Sequence, residues 1–168
     1  MAGRRYLVTG GTGFLGSALV RRLVTDGHAV RVLDDNSRGS ARRLVDIAQK
    51  IELVEGNVRD PSIVRAAADG VDTVLHLAAV NGTEFFYSKP ELVLDVGVRG
   101  MLAVIDACRA NGVRDLVVAS SSEVYQTPPQ VPTDETAPLS IPDVLNPRYS
   151  YAGSKIISEL LVPGITIH

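Results

Sequence analysis

The stretch Thr9-Gly10-Gly11-Thr12-Gly13-Phe14-Leu15-Gly16 decides how this 168-residue chain is read. It follows a short β-favouring run, Tyr6-Leu7-Val8-Thr9. It precedes a helical pattern from Phe14 to Asp26, in which Leu15, Ala18, Leu19, Leu23 and Val24 share one face and Gly27 supplies a stop. Between a strand and a helix, three regularly spaced glycines each have a physical task. Gly10 allows the tight turn, Gly13 lets the backbone approach a pyrophosphate, and Gly16 lets the helix pack close to the sheet. The free N–H groups and positive dipole end of the helix then face the phosphates. The competing reading is a glycine-rich turn with no ligand, and the strand–turn–helix setting weighs against it.

Working outward, the pattern alternates. Strands are expected at Ala29–Leu33, Ile51–Val54, Thr73–Leu77 and Asp115–Ala119. Between them lie a weak helix at Ala41–Gln49, a helix at Pro61–Ala68 opened by its proline, and a long helix from Pro90 to Ala110 that stops at Asn111-Gly112. A last helix runs from about Tyr149 to Leu161, and the tail from Val162 to His168 reads as the start of a sixth strand. Strands separated by helices make βαβ units. The expectation is an α/β fold, a Rossmann-type doubly wound parallel sheet of at least five strands with helices on both faces, forming one domain over residues 1–168. Residues 122–148 break the pattern and hold six of the nine prolines. So long a loop inside a compact domain reads as functional, here a Pro-rich active-site loop.

The second strand ends in Leu33-Asp34-Asp35, with Asp34 standing 24 positions after Gly10. That is near the ~20 expected of the acid that binds an adenosine ribose. A carboxylate there accepts both ribose hydroxyls and repels a 2′-phosphate, which favours NAD over NADP. Arg38 is the counter-argument, since a guanidinium nearby could hold that phosphate. The fifth strand ends in Ala119-Ser120-Ser121-Ser122-Glu123-Val124-Tyr125, and the last helix opens with Tyr151-Ala-Gly-Ser-Lys155. A Tyr and a Lys four apart lie on one helical face. There the ammonium is expected to lower the phenol's pKa so that it exchanges protons near neutral pH, while a strand-end serine holds the substrate oxygen.

Composition sets the limits. Apolar residues make up 45% and charged residues 21%, and the net charge is −2, so no nucleic-acid surface is indicated. One cysteine excludes an internal disulfide framework and a Cys-rich zinc site, and the three histidines are too dispersed to suggest a His-based metal site. No apolar run approaches the ~18 residues of a membrane span, and the first residues lack a signal-peptide core. A soluble cytoplasmic protein is the expectation.

The motifs together resemble those of the extended short-chain dehydrogenase/reductase family, the NAD-dependent nucleotide-sugar epimerases, dehydratases and decarboxylases. They are the glycine loop, Asp34-Asp-Asn-Ser-Arg-Gly39, Gly56-Asn57, His76-Leu-Ala-Ala79, Ser120–Tyr125 and Tyr151-x-x-x-Lys155, spread over nearly the whole chain. The resemblance implies roles for particular residues. Gly10, Gly13, Phe14, Leu15 and Gly16 form the pyrophosphate loop. Asp34, with its neighbours Asp35 and Ser37, makes the adenosine-ribose site, Asn57 and Val58 meet adenine, and Leu77, Ala78 and Ala79 line the cofactor. Ser121 holds the substrate, Tyr151 is the catalytic base, and Lys155 is its partner and also holds the nicotinamide ribose.

The resemblance further implies the reaction. Tyr151 takes a sugar hydroxyl proton as hydride passes to NAD, and the ketosugar then epimerises, eliminates water or loses CO₂. Glu123 serves as a further acid/base group, since Ser-Ser-Glu-Val-Tyr is similar to the corresponding run of UDP-glucuronate decarboxylases. The substrate is a UDP- or GDP-linked sugar, and family members dimerise through their long helix and their Tyr-x-x-x-Lys helix. They also run to about twice this length, so a C-terminal substrate-binding domain is expected to be missing here. That leaves as the alternative an NAD-binding module without turnover, a sensor or an assembly part.

Overall fold

The computed structural model describes residues 3–162. Five strands, β1 (Arg5–Thr9), β2 (Ala29–Asp34), β3 (Ile51–Glu55), β4 (Thr73–His76) and β5 (Asp115–Val118), form one sheet in the order β3-β2-β1-β4-β5. Every pairing is parallel, with Leu7 opposite Arg31 on one side and Val74 on the other. The expected sheet is therefore present. The expected sixth strand falls almost wholly on residues 163–168, outside those described.

Alternation along β1 builds the two faces. Leu7 and Val8 are both fully buried, but they belong to different clusters because successive side chains of a strand point to opposite sides. Val8 packs with Val20, Leu23, Val32 and Leu44, under helix α1 (Phe14–Thr25) and a 3₁₀ segment, Ala41–Lys50. Leu7 packs with Val64, Val74, Val93 and Val104, under α2 (Pro61–Ala67), α4 (Pro90–Leu94) and α5 (Gly100–Asn111). The last helix, α6 (Ser150–Leu161), lies against α4 and adds Tyr151 to that second cluster. Local chemistry sets several ends. Asp60 caps α2 by accepting from the N–H groups of Ser62 (2.9 Å) and Ile63 (3.3 Å), and Pro61 opens it without a wasted donor. Gly112 ends α5 in a left-handed conformation at φ 62°.

The structure departs from the sequence reading in four places. The weak helix expected at Ala41–Gln49 is 3₁₀ throughout and buries only Leu44. In α1 the buried residues are Gly16, Ser17, Val20 and Leu23, and Leu15 is 69% exposed, because the helix approaches the sheet on its glycine side. The long helix from Pro90 is interrupted by a π-turn at Asp95–Arg99. A short helix that the sequence reading lacked, α3 (Thr83–Ser88), sits between β4 and α4. The Pro-rich stretch forms only two short 3₁₀ turns, Ser122–Val124 and Pro147–Tyr149. Among the described residues no helix is long and apolar enough to cross a membrane.

Candidate active site

The strand order reverses about β1, so a crevice opens at the carboxyl ends of the strands, where open α/β sheets bind ligands. Its lining includes Gly10, Gly13, Asp34, Asp35, Ser37, Asn57, Val58, Leu77, Ala78 and Ala79, all singled out from the sequence. The glycines behave as their tasks require. Gly10 has φ +71°, and a Cβ on it would stand 2.8 Å from the Ala78 nitrogen. A Cβ on Gly16 would stand 2.1 Å from the Gly10 carbonyl oxygen. Gly13 is different: its only close neighbour would be that same oxygen, at 3.1 Å, and it faces the crevice at the N-terminus of α1. Phe14 and Leu15, expected in the pyrophosphate loop, open α1 and are 83% and 69% exposed.

The β2 end is tied to this loop. Asp34 accepts from the backbone N–H groups of Thr12 and Asn36, each at 2.9 Å, so one carboxylate fixes both the glycine loop and its own turn. Asp35 accepts from the Ser37 N–H at 3.0 Å and from the Asn57 side-chain amide at 2.9 Å. The Asn57 carbonyl oxygen accepts from the Arg59 backbone and side chain, at 3.0 and 2.9 Å. Asn57 is thus turned inward by Arg59 and presents its amide nitrogen to Asp35. Arg59 also bonds Asp95 at 2.6 Å, and Asp95 pairs with Arg99 across the π-turn.

The residues expected to carry catalysis gather where β5 ends and α6 begins. Tyr151 is 8% exposed and Lys155 6% exposed. Ser121 caps the turn at Ser122–Val124 by accepting from the Glu123 N–H at 3.2 Å. Lys155 donates to the Ala119 carbonyl at 2.6 Å, and its Nζ lies 5.6 Å from the centre of the Tyr151 ring. Glu123 pairs with Arg148 at 3.2 Å, with both side chains near two-fifths exposed. The expected activation of the phenol is corrected here. Burial pushes the Tyr151 pKa up, Ser121 pulls it down in part, and the Glu123 charge adds to the rise. Burial also lowers the Lys155 pKa, and its ammonium is engaged by a backbone carbonyl.

Three residues complete the site without having been assigned a role from the sequence. Phe86 stacks on Tyr151, with ring centroids 5.4 Å apart and planes 15° from parallel. His76, 3% exposed, lies with its Nδ1 2.7 Å from the Thr9 hydroxyl. The same hydroxyl oxygen accepts from the Ala78 N–H at 3.3 Å, which ties His76 to the loop after β4. Burial first and the Lys155 charge second push the His76 pKa down to about 3, so the ring is neutral. Arg148, which holds Glu123, comes from the far end of the Pro-rich stretch. Only Phe86 had no available signal, since it lies on the unforeseen α3. Among the described residues no group of three His, Cys, Asp or Glu side chains could hold a metal.

The crevice meets the requirements of a dinucleotide: a glycine-floored cradle at the N-terminus of a twelve-residue helix, and a carboxylate at the second strand end. Comparison with known proteins agrees. The chain is 38% identical over 160 residues to UDP-glucose 4-epimerase of Mycolicibacterium smegmatis, covering 93% of this chain and 49% of that protein. It is 37% identical over 139 residues to dTDP-4-dehydro-6-deoxy-D-allose reductase of a Streptomyces species, covering 80% and 43%. The crystal structure of UDP-glucose 4-epimerase from Brucella ovis in complex with NAD superposes with a TM-score of 0.85 at 26% identity, covering 96% of this chain and 47% of that one. The chain spans about half the length of the relatives it matches. With residues 6–165 matched by the family's sequence profile, the chain belongs to the NAD dependent epimerase/dehydratase family.

Proposed function

We propose that this chain is the NAD-binding half of an oxidoreductase that acts on a UDP- or GDP-linked sugar, of the epimerase, dehydratase or decarboxylase type. The observation that supports the reading is Lys155 lying 5.6 Å from the Tyr151 ring on α6 and bonded to Ala119 at the end of β5, where Ser121 follows, on the same carboxyl edge of the sheet as the glycine-floored crevice. Gly10, Gly13 and Gly16 with the N-terminus of α1 would hold the pyrophosphate, Asp34 and Asp35 the adenosine ribose, Asn57 and Val58 the adenine, and Lys155 the nicotinamide ribose. NAD, when bound, supplies the hydride acceptor. Tyr151 takes the proton of the sugar hydroxyl as the carbon bearing it gives up hydride, which leaves a ketosugar. Ser121 positions the same oxygen by hydrogen bond. Lys155 must first move its ammonium toward the phenol and the bound ribose, because charge is what brings a buried phenol toward neutral pH. Glu123, held by Arg148, is a second acid/base group at the sugar.

Self-association belongs to the same proposal. Leu94, Leu102, Ile157 and Leu160 are exposed on α4, α5 and α6, and a homodimer would cover them. Val96, Val104 and Ile105 of the same long helix are buried and take no part in that surface. The second reading, a module that binds NAD without turnover, draws on one observation: Tyr151 is buried beneath Phe86 with its pKa raised. One experiment separates the two. The chain is loaded with NAD and offered UDP-glucose, UDP-glucuronate or GDP-mannose, and reduction of the cofactor is followed by absorbance. The enzyme reading expects reduction in wild type, its loss in Tyr151→Phe with NAD affinity kept, and loss of both in Lys155→Ala. Tight NAD binding with no reduction by any sugar nucleotide favours the module.

A further inference from the structure

Among the residues lining the crevice, three carry a charge: Asp34, Asp35 and Arg38. The two carboxylates sit at the β2 end. Arg38, in the loop that follows, does not stay beside them. Its Nη2 donates to the Asn81 carbonyl at 2.6 Å, in the loop after β4. Its Cζ stands 4.4 Å from the centre of the Phe85 ring, on α3. Because β1 lies between β2 and β4, a side chain that joins their two loops crosses over the glycine turn at the end of β1. Gly82 gives the guanidinium room: its φ is +135°, and a Cβ there would stand 3.3 Å from Nη2.

We propose that Arg38 is a clasp for the dinucleotide pyrophosphate, bridging the two lips of the crevice and supplying its one positive side chain. This rests on the reading that the chain binds NAD. Three observations carry it beyond that reading. The first turn of α1, Phe14 to Ser17, contains no basic residue, so the helix end offers the phosphates N–H groups and a partial charge but no ion. Arg38 spends one N–H on Asn81, and a guanidinium has five, so donors remain for phosphate oxygens. Its position over β1 is wrong for the alternative first weighed from the sequence. A 2′-phosphate would sit at the adenosine ribose beside Asp34 and Asp35, whereas the guanidinium has been drawn across to the β4 side. The clasp also reaches the catalytic residues. Phe85, on which the guanidinium lies, is next to Phe86, which stacks on Tyr151. Seating of the pyrophosphate is thereby linked to α3 and the phenol.

The test is calorimetric titration of wild type, Arg38→Ala and Arg38→Gln with adenosine, ADP-ribose, NAD and NADP. Arg38→Gln keeps a donor for the Asn81 carbonyl and removes the charge. Charged hydrogen bonds of this kind make the expected loss in ADP-ribose and NAD affinity about ten- to hundredfold in both variants, with adenosine unchanged. The NAD-to-NADP preference should stay as in wild type, and the wild-type affinity should fall more steeply with added salt than that of either variant. Selective loss of NADP would place the guanidinium at the 2′-phosphate and overturn the clasp. So would recovery of ADP-ribose affinity in Arg38→Gln, which would make the residue a neutral brace. Unchanged ADP-ribose affinity in Arg38→Ala overturns the clasp alone. Failure of wild type to bind NAD overturns the clasp together with the reading it rests on. Thermal melts of the three proteins identify any variant that has lost its fold.

Discussion

Replacing Gly16 by Ala should damage the fold, whereas the same change at Gly13 should damage binding. A methyl on Gly16 would lie 2.1 Å from the Gly10 carbonyl oxygen, 2.8 Å from Gly11 Cα and 2.9 Å from the Gly10 carbonyl carbon. All three are backbone atoms, so no side chain can turn aside. The Gly10 carbonyl is also held in place, since it accepts from the Gly13 N–H at 3.1 Å. Overpacking typically costs about 1–3 kcal/mol, and a clash of this depth belongs at the top of that range. Alanine inside a helix returns about 1 kcal/mol relative to glycine, so the clash wins by about 2 kcal/mol. For a domain of this size that lowers Tm by about 4–8 °C. At Gly13 the new methyl meets one oxygen at 3.1 Å, and φ is −68°, which any residue adopts. The cost there is the poorer N-cap, about 1 kcal/mol or less. The methyl would, however, occupy the space that a pyrophosphate needs. Melting followed by circular dichroism, with NAD titration of each variant, checks both halves. The reasoning is refuted if Gly16→Ala melts with wild type, or if Gly13→Ala melts lower than Gly16→Ala while binding NAD normally.

Two more outcomes follow from the same geometry. Burial holds His76 neutral, with its pKa lowered from 6.5 to about 3, so below pH 6.5 the unfolded chain takes up a proton that the folded chain refuses. Stability is therefore full above that pH and falls toward pH 3; urea midpoints of wild type and His76→Asn across this window should diverge, and parallel loss would contradict the assignment. Light scattering at micromolar concentration should give a mass near twice 17.9 kDa, and Ile157→Glu should return it to the single-chain value with NAD binding kept. A concentration-independent 17.9 kDa species in wild type would rule the homodimer out.

Much of the fold was legible because its signals are local. Period-two apolar runs, a proline opening α2, and glycines at Gly10 and Gly112 each act over a few residues, and all five strands lie where the sequence puts them. The departures have non-local causes. The π-turn at Asp95–Arg99 coincides with Arg59, a residue 36 positions away, bonding Asp95. Leu15 looks like core by spacing, yet the contact of Gly16 with Gly10 turns the helix so that Leu15 faces out. In the site, the placing of Tyr151 and Lys155 on one helix and of a serine run after β5 was readable from the sequence, while the choice of Ser121 within that run came from the family resemblance. Their electrostatics were not. The direction of the Tyr151 shift depends on burial first, with Ser121 and the Glu123 charge acting on it as well, and none of these is encoded in the spacing of Tyr151 and Lys155. Arg38 was visible as a charge, but its crossing to Asn81 is a property of the strand order.

The π-turn divides one long helix into two lever arms. The arm before it, α4, leans on α3 and on α6, which carries Tyr151 and Lys155; the arm after it, α5, is seated on α2 and β4 in the core. The turn is notched against α6 by Gly97 on Ser154, and α5 opens with Gly100 against Val58 of the crevice. A wider helical turn is a place where the regular ladder of bonds already gives way, so it acts as a joint. A shift of α6 would reach α4 and the π-turn first, because both pack on it, whereas α5 is seated on α2 and β4. One helix thus runs along both the α6 wall and the crevice wall, with its irregular turn between them.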